Sequence, residues 1–250
     1  MSKLQALIFD VDGTLAETER YGHRLAFNQA FSQAKLSWDW SESIYGELLA
    51  VAGGKERIRY YLQQYNPEFQ SPSDLDQFIA QLHLSKTQYY RDLLGQGAIP
   101  LRPGVKRLIE EARSQGIIIA IATTSALPNV LALLEPTLPP HWFEVIAAGD
   151  IVAAKKPAPD IYYYVLDKLG LAAGECLVFE DSYHGLQAAT KAGLKTIVTV
   201  NDYTKDQDFS EAILVLDHLG EPDLPFTIMK GIELNSQYVD VSLLEKLLSI

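Results

Sequence analysis

Short apolar runs rich in β-branched residues recur at Leu4–Phe9, Ile117–Ala122, Cys176–Phe179, Thr196–Val200 and Ile213–Leu216. Each has the length of a buried strand. Between the later runs, apolar residues return every three or four positions. That spacing predicts helices over Val105–Gln115, Asp160–Leu169 and His184–Ala192. Continuous apolar strands alternating with amphipathic helices predict an α/β fold, its parallel sheet covered by helices on both faces.

The first interval breaks this rhythm. About a hundred residues separate the first run from the second, too many for one crossover helix. Helical periodicity fills the gap near Glu19–Ala34, Ser43–Val51, Lys55–Tyr65 and Ser73–Leu94, and little there reads as strand. The expectation is a small helical domain, residues 16–95, inserted into an α/β core of residues 1–15 and 96–250. Pro100 and Pro103 in "IPLRPGV" resist helix continuation and mark the return to the core. Trp38 and Trp40 are expected in the core of the insert.

Composition narrows the class of molecule. The 250 residues, 48% hydrophobic and 21% charged, suffice for a substantial buried core. No apolar run approaches a membrane span, and the start runs straight into "KLQALIFD" without a signal or transit pattern. The lone Cys176 leaves no internal disulfide, fits a reducing compartment and reads as core packing. A cytoplasmic monomer is expected, with no membrane partner. The formal charge of -11 argues against a nucleic-acid partner but permits an anionic substrate wherever lysines and arginines cluster locally.

Candidate chemistry sits where the strands end. In "LIFDVDGTLAETE", Asp10 and Asp12 are two residues apart, so an extended backbone points both to one side at the carboxyl end of the sheet. Gly13 permits a sharp turn there and Thr14 adds a hydroxyl. Paired carboxylates raise each other's pKa unless a cation or proton compensates. The string therefore asks for a metal, a proton-transfer role, or merely an Asp-Gly turn. After the second run, "IIIAIATTSA" presents Thr123, with Thr124 and Ser125 competing as a hydroxyl for a phosphoryl oxygen. "VAAKKPAPDIY" offers Lys155 and Lys156, and "CLVFEDSYHGL" ends another strand on Glu180 and Asp181, hard oxygen donors suited to Mg²⁺. Ser182 and His184 have no nucleophile-elbow context.

These four strings, in this order, resemble the motifs of the haloacid dehalogenase superfamily, whose members are mostly Mg²⁺-dependent phosphatases. The resemblance spans essentially the whole core and implies a Rossmann-like sheet with an inserted cap. It also implies roles: Asp10 as nucleophile, Asp12 as general acid/base, Thr123 and Lys156 on the phosphoryl oxygens. Mg²⁺ would be held by Asp10, Asp181 and the backbone carbonyl of Asp12, with Glu180 on a metal-bound water. Of the two lysines, Lys156 directly before Pro157 matches the family's "KPxPDIY"; Lys155 reads as surface.

The helical insert resembles the cap of the β-phosphoglucomutase-like branch, which reads the substrate. "DVDGTLAETE", "GGKERI" and "TVNDYT" are closer still to the CbbY-type group of xylulose-1,5-bisphosphate phosphatases. A sugar bisphosphate needs a second cationic cradle, for which Lys55 and Arg57 are expected, with Arg24 and Arg102 as lesser candidates. Glu17 is expected on sugar hydroxyls. His23 carries over weakly, because one more residue precedes it here than in the mutase pattern. The rival readings are a phosphomutase on the same scaffold and a non-catalytic phospho-receiver module, the latter disfavoured by the insert and the second aspartate.

Overall fold

The computed structural model describes residues 3–51, 53–232 and 234–249. In chain order the elements are β1 (Ala6–Phe9), a π-helical turn (Glu19–His23), α1 (Arg24–Gln33), α2 (Glu42–Leu48), α3 (Gly54–Gln64) and α4 (Leu75–Gly95). Then follow α5 (Val105–Ser114), β2 (Ile118–Thr123), α6 (Leu127–Leu134), β3 (Val145–Ala148), α7 (Asp160–Leu169), β4 (Cys176–Glu180) and α8 (Tyr183–Lys191). The chain closes with β5 (Lys195–Thr199), β6 (Leu214–Leu216), β7 (Ile228–Gly231) and α9 (Val241–Ser249). Among the described residues no helix is long and apolar enough to cross a membrane.

The seven strands form one sheet in the order β3-β2-β1-β4-β5-β6-β7. All neighbours are parallel except β6 and β7. From β1 the chain winds outward through β2 to β3, then restarts beside β1 at β4 and winds the other way. The reversal lies between β1 and β4, where the crevice of an open parallel sheet receives ligands. Both strands are wholly buried. Phe9 pairs in register with Phe179, and their rings stack at 4.5 Å. Residues following the two strands therefore emerge side by side.

The chain divides into a sheet unit, Met1–Glu17 with Pro100–Ile250, and a helical unit, Thr18–Ile99. These limits differ by a few residues from those read off the sequence. Ala16 bridges to Leu101, and Leu15 accepts a hydrogen bond from the Arg102 amide, so 16 and 17 belong with the sheet. At the other limit, Ile99 is buried and lies against Gly22 within the helical unit.

Inside the helical unit, Trp38 and Trp40 are buried in an aromatic core with Phe27, Phe31, Tyr45 and Tyr61. The helix expected over Glu19–Ala34 is in fact a π turn leading into α1. A π turn is how a helix absorbs one extra residue. Two strands and two helices went unread: β3, β7, α6 and α9. The strands are the two edges of the sheet, short and rich in alanine or interrupted by lysine and glycine. Cys176 is buried in β4, and burial pushes its thiol up to about 12, which leaves it inert.

Candidate active site

Asp10 follows β1 directly, and its amide donates to the Phe179 carbonyl at 3.0 Å. The ladder thus continues one residue past the strand and sets Asp10 beside Glu180. Gly13 then turns the chain with φ +80°, a conformation that disfavours side chains. A β-carbon there would lie 2.2 Å from an Asp181 carboxylate oxygen, so the turn also needs the space.

Lys156 enters this crevice from the loop between β3 and α7, at a cis Lys156–Pro157 peptide bond. Its ammonium donates to Asp10 Oδ1 and Glu180 Oε1 at 2.6 Å each, and to the Ala122 carbonyl at 2.8 Å. All three of its protons are placed. Burial alone would lower its pKa, but the two carboxylates outweigh burial and hold it above the ordinary lysine range. Lys155 instead pairs with Asp150 at the surface.

Asp10, Glu180 and Asp181 are buried, and each offers an oxygen within 4.8 Å of the others. Burial pushes Asp10 up to about 7 against the pull of Lys156, with Glu180 and Asp12 adding to the rise. Asp181 is raised well above the usual carboxylate range, first by burial and then by Asp10 and Glu180. One ammonium among three buried carboxylates leaves a negative excess in a poorly solvated crevice. The donors are hard oxygens, which suit Mg²⁺. The cluster fits a divalent cation in both charge and chemistry.

The members are not equivalent. Glu180 Oε1 accepts from Lys156 and, at 2.5 Å, from the buried Tyr162 hydroxyl; Oε2 accepts from the Asp181 amide. These bonds occupy both of its oxygens, in keeping with the expectation that it meets a metal-bound water more than the metal itself. Asp181 accepts one bond, from Asn201 Nδ2 to Oδ2 at 2.8 Å.

At the end of β2, Thr123 is buried and Thr124 exposed. Thr123 Oγ1 accepts from the Ser125 amide, and the Ser125 hydroxyl donates to Asp12 Oδ2. Ser125, expected only as a competitor for phosphate, fixes the second aspartate. Ser182 caps α8 through the Gly185 amide, a structural role.

Arg102 proves not to be a free cation. It is buried, donates to the carbonyls of Gly13, Thr199, Val200 and Asp217, and pairs with Glu17 at 3.0 Å. This corrects its place among the candidates for a distal phosphate. Glu17, expected on sugar hydroxyls, is held by that pair at the rim of the sheet unit.

Within the helical unit, Arg57 is likewise committed. It donates to the carbonyls of Leu48 and Val51 and to the Tyr45 hydroxyl, and lies over the Tyr45 ring. Expected to read phosphate, it also fastens α3 to the end of α2. Arg24 is drawn to the Trp40 carbonyl and Glu42. Lys55 is exposed in the first turn of α3. His23 stacks on Tyr90 and meets Lys86 Nζ at 2.8 Å through Nδ1.

Tyr162, Asn201 and Arg102 as an anchor were invisible as site residues. Tyr162 had a signal, since it closes the "KPAPDIY" string on the inner face of α7. Asn201 lies in "TVNDYT", which carries a resemblance but not its role, and the partners that bring it and Arg102 to the site lie 20 to 115 positions away.

Comparison with known proteins places the chain in a family. The family model for haloacid dehalogenase-like hydrolase matches residues 4–193. Protein CbbY of Cupriavidus necator is 47% identical over 89% of this chain and 88% of its own. The crystal structure of CbbY from Rhodobacter sphaeroides in complex with phosphate is 44% identical, covering 86% of this chain and 94% of that one at a TM-score of 0.72. An Asp-to-Asn mutant of the same protein, solved with xylulose-(1,5)bisphosphate, matches equally well. The chain belongs to the haloacid dehalogenase-like hydrolases and, within them, to the CbbY branch.

Proposed function

We propose that this phosphoric monoester hydrolase dephosphorylates xylulose 1,5-bisphosphate through a phosphoenzyme on Asp10, with Mg²⁺ as cofactor. The observation that carries the reading is the buried cluster of Asp10, Glu180 and Asp181 around Lys156, at the point where the sheet reverses. The bisphosphate bound by the 44% identical relative supports the choice of substrate.

Asp10 has one carboxylate oxygen on Lys156, which holds the group at a fixed angle. Its attack forms an oxygen–phosphorus bond while the bond from phosphorus to the sugar oxygen breaks. Asp12, steadied by Ser125, gives that oxygen its proton. Water then attacks the same phosphorus, passes a proton to Asp12 and releases phosphate, which restores the Asp10 carboxylate. Lys156 and the Thr123 hydroxyl meet the charge on the transferring oxygens. Mg²⁺, when bound, supplies the positive charge that offsets repulsion between a carboxylate and a phosphate. Asp10, Asp181 and the Asp12 carbonyl would hold it, while Glu180 anchors Lys156 and Tyr162. Lys55 is proposed to read the second phosphate, Glu17 the sugar hydroxyls.

The test is a panel of sugar phosphates assayed for free phosphate and for isomer interconversion, with and without chelator. The expected result is phosphate release with xylulose 1,5-bisphosphate preferred, abolished by chelator. Interconversion without net phosphate release would make the enzyme a mutase and overturn the reading.

A further inference from the structure

Asn201 lies in the turn after β5, within "TVNDYT" and outside the four motifs that carry the carboxylates and Lys156. Its two amide atoms are sorted by their neighbours. Oδ1 accepts from the Tyr203 amide at 2.9 Å, while the Asn201 backbone amide donates to Thr204 Oγ1 at 3.0 Å. With Oδ1 taken by an N–H donor, only the amino group can face Asp181, and it donates to Oδ2 at 2.8 Å. The turn is itself anchored, because Arg102 holds the carbonyls of Thr199 and Val200 immediately before it. Gly13 closes the other side, where a β-carbon would come within 2.7 Å of Asn201 Nδ2. The carboxamide therefore has one orientation and one acceptor.

We propose that Asn201 is a positioning residue that occupies one oxygen of Asp181, so that Asp181 meets a cation through its other oxygen alone, and thereby sets the site's preference for Mg²⁺ over a larger divalent ion. This rests on the reading of the carboxylate cluster as an Mg²⁺ site. The chemistry follows from the ions. Mg²⁺ requires compact octahedral geometry and takes one oxygen from each carboxylate, whereas Ca²⁺ accepts six to eight oxygens and welcomes both from one group. A donor locked on Oδ2 takes one of that oxygen's lone pairs and fixes the carboxylate's angle, which disfavours the two-oxygen mode. Partners that orient a ligand in this way are typically worth about 10- to 100-fold in metal affinity or activity.

The experiment measures Mg²⁺ and Ca²⁺ binding to the purified full chain by titration calorimetry, without substrate, for the parent and two variants. Asn201→Ser keeps an acceptor for the Tyr203 amide but cannot reach Asp181. Asn201→Thr likewise keeps a hydroxyl acceptor and removes the donor, without adding a charge beside Asp181. Both are expected to move the ratio of Ca²⁺ to Mg²⁺ affinity towards Ca²⁺ by about tenfold or more, with thermal stability in chelator close to the parent's. Should Asn201→Ser fail to fold, Asn201→Thr alone decides. An unchanged ratio, or equal loss of both ions with a fall in stability, would overturn the inference and leave Asn201 a turn residue. A parent that binds neither ion would instead sink the Mg²⁺ reading itself.

Discussion

Lys86 and the Lys156 side chain are both buried, yet they sit in opposite surroundings. Lys156 lies among carboxylates, two of them at 2.6 Å. Lys86 lies 5.0 Å and 5.2 Å over the rings of Phe27 and Tyr90, with the imidazole of His23 at 2.8 Å. A buried ammonium is costly, and its neighbours decide what it does in return. Among carboxylates it offsets part of the negative charge of a crevice that, under the proposed function, also receives a phosphate. Against rings and an imidazole it fixes a tautomer and a stack. The same residue type at the same depth thus balances carboxylates in the sheet unit and lies over aromatic rings in the helical unit.

The sharpest break in this comparison comes at the proposed nucleophile. Asp10→Asn removes the proposed acceptor of phosphorus and the negative charge facing Lys156, while its Oδ1 can still accept from the ammonium. By analogy with nucleophile deletions elsewhere, turnover should fall by about 10³- to 10⁶-fold. Circular dichroism should remain that of the parent, because the carboxamide fills the same space. Activity retained above a few per cent would move the nucleophile elsewhere.

Next in size is Lys156→Met, which keeps the length of the stem and removes the charge. Asp10, Glu180 and Asp181 would then face one another without an ammonium. A loss of about 10² to 10³ in kcat is expected, the range for removing one preorganised charge stabiliser. Steady-state kinetics with saturating Mg²⁺ decide it. A rise in KM with kcat unchanged would assign Lys156 to ground-state binding.

What the sequence discloses follows the same division. The strand-end motifs could be read because central parallel strands are buried on both faces and need unbroken apolar runs, which makes Asp10 or Asp181 conspicuous at their ends. Edge strands carry a weaker demand, and "VIAA" and "IMKG" satisfied it without producing a recognisable run. Helix α6 was hidden by Pro128, which suggests a break but sits at the start of the helix, where its missing amide costs nothing. Cations were the least legible. "GGKERI" shows Lys55 and Arg57 side by side, but only coordinates reveal that Leu48, Val51 and Tyr45 have claimed Arg57. Arg102 likewise became an anchor through carbonyls of three distant segments.

That difference between Lys55 and Arg57 can be tested directly. Lys55→Ala should lower kcat/KM for the bisphosphate by about tenfold, the value of one charged hydrogen bond of about 1.5 kcal/mol, and leave para-nitrophenyl phosphate unaffected. Arg57→Ala should instead lower the melting temperature and harm both substrates alike. Equal and selective losses from the two variants would restore Arg57 as a reader of phosphate.

The smallest expected effect tests the packing half of the comparison. Burial first, then the charges of Lys86, Arg57 and His83, hold His23 well below 6.5. His83 is lowered in the same direction, again first by burial. In the unfolded chain His23 takes up a proton near its ordinary pKa, and in the folded chain it refuses one until lower pH. Its contribution to stability is therefore complete above pH 6.5 and is lost as pH falls below that towards the folded value. The slope from one such group cannot exceed about 1.4 kcal/mol per pH unit. Urea unfolding at pH 7.5 and 5.5 should show the parent losing more stability over that interval than His23→Gln, which cannot titrate. The difference between the two proteins is the quantity that counts, since the titration of the acidic crevice is common to both. An identical pH dependence in parent and variant would mean that His23 takes up its proton in the folded chain as readily as in the unfolded one. The contact with Lys86 would then be a neighbourhood and not a constraint.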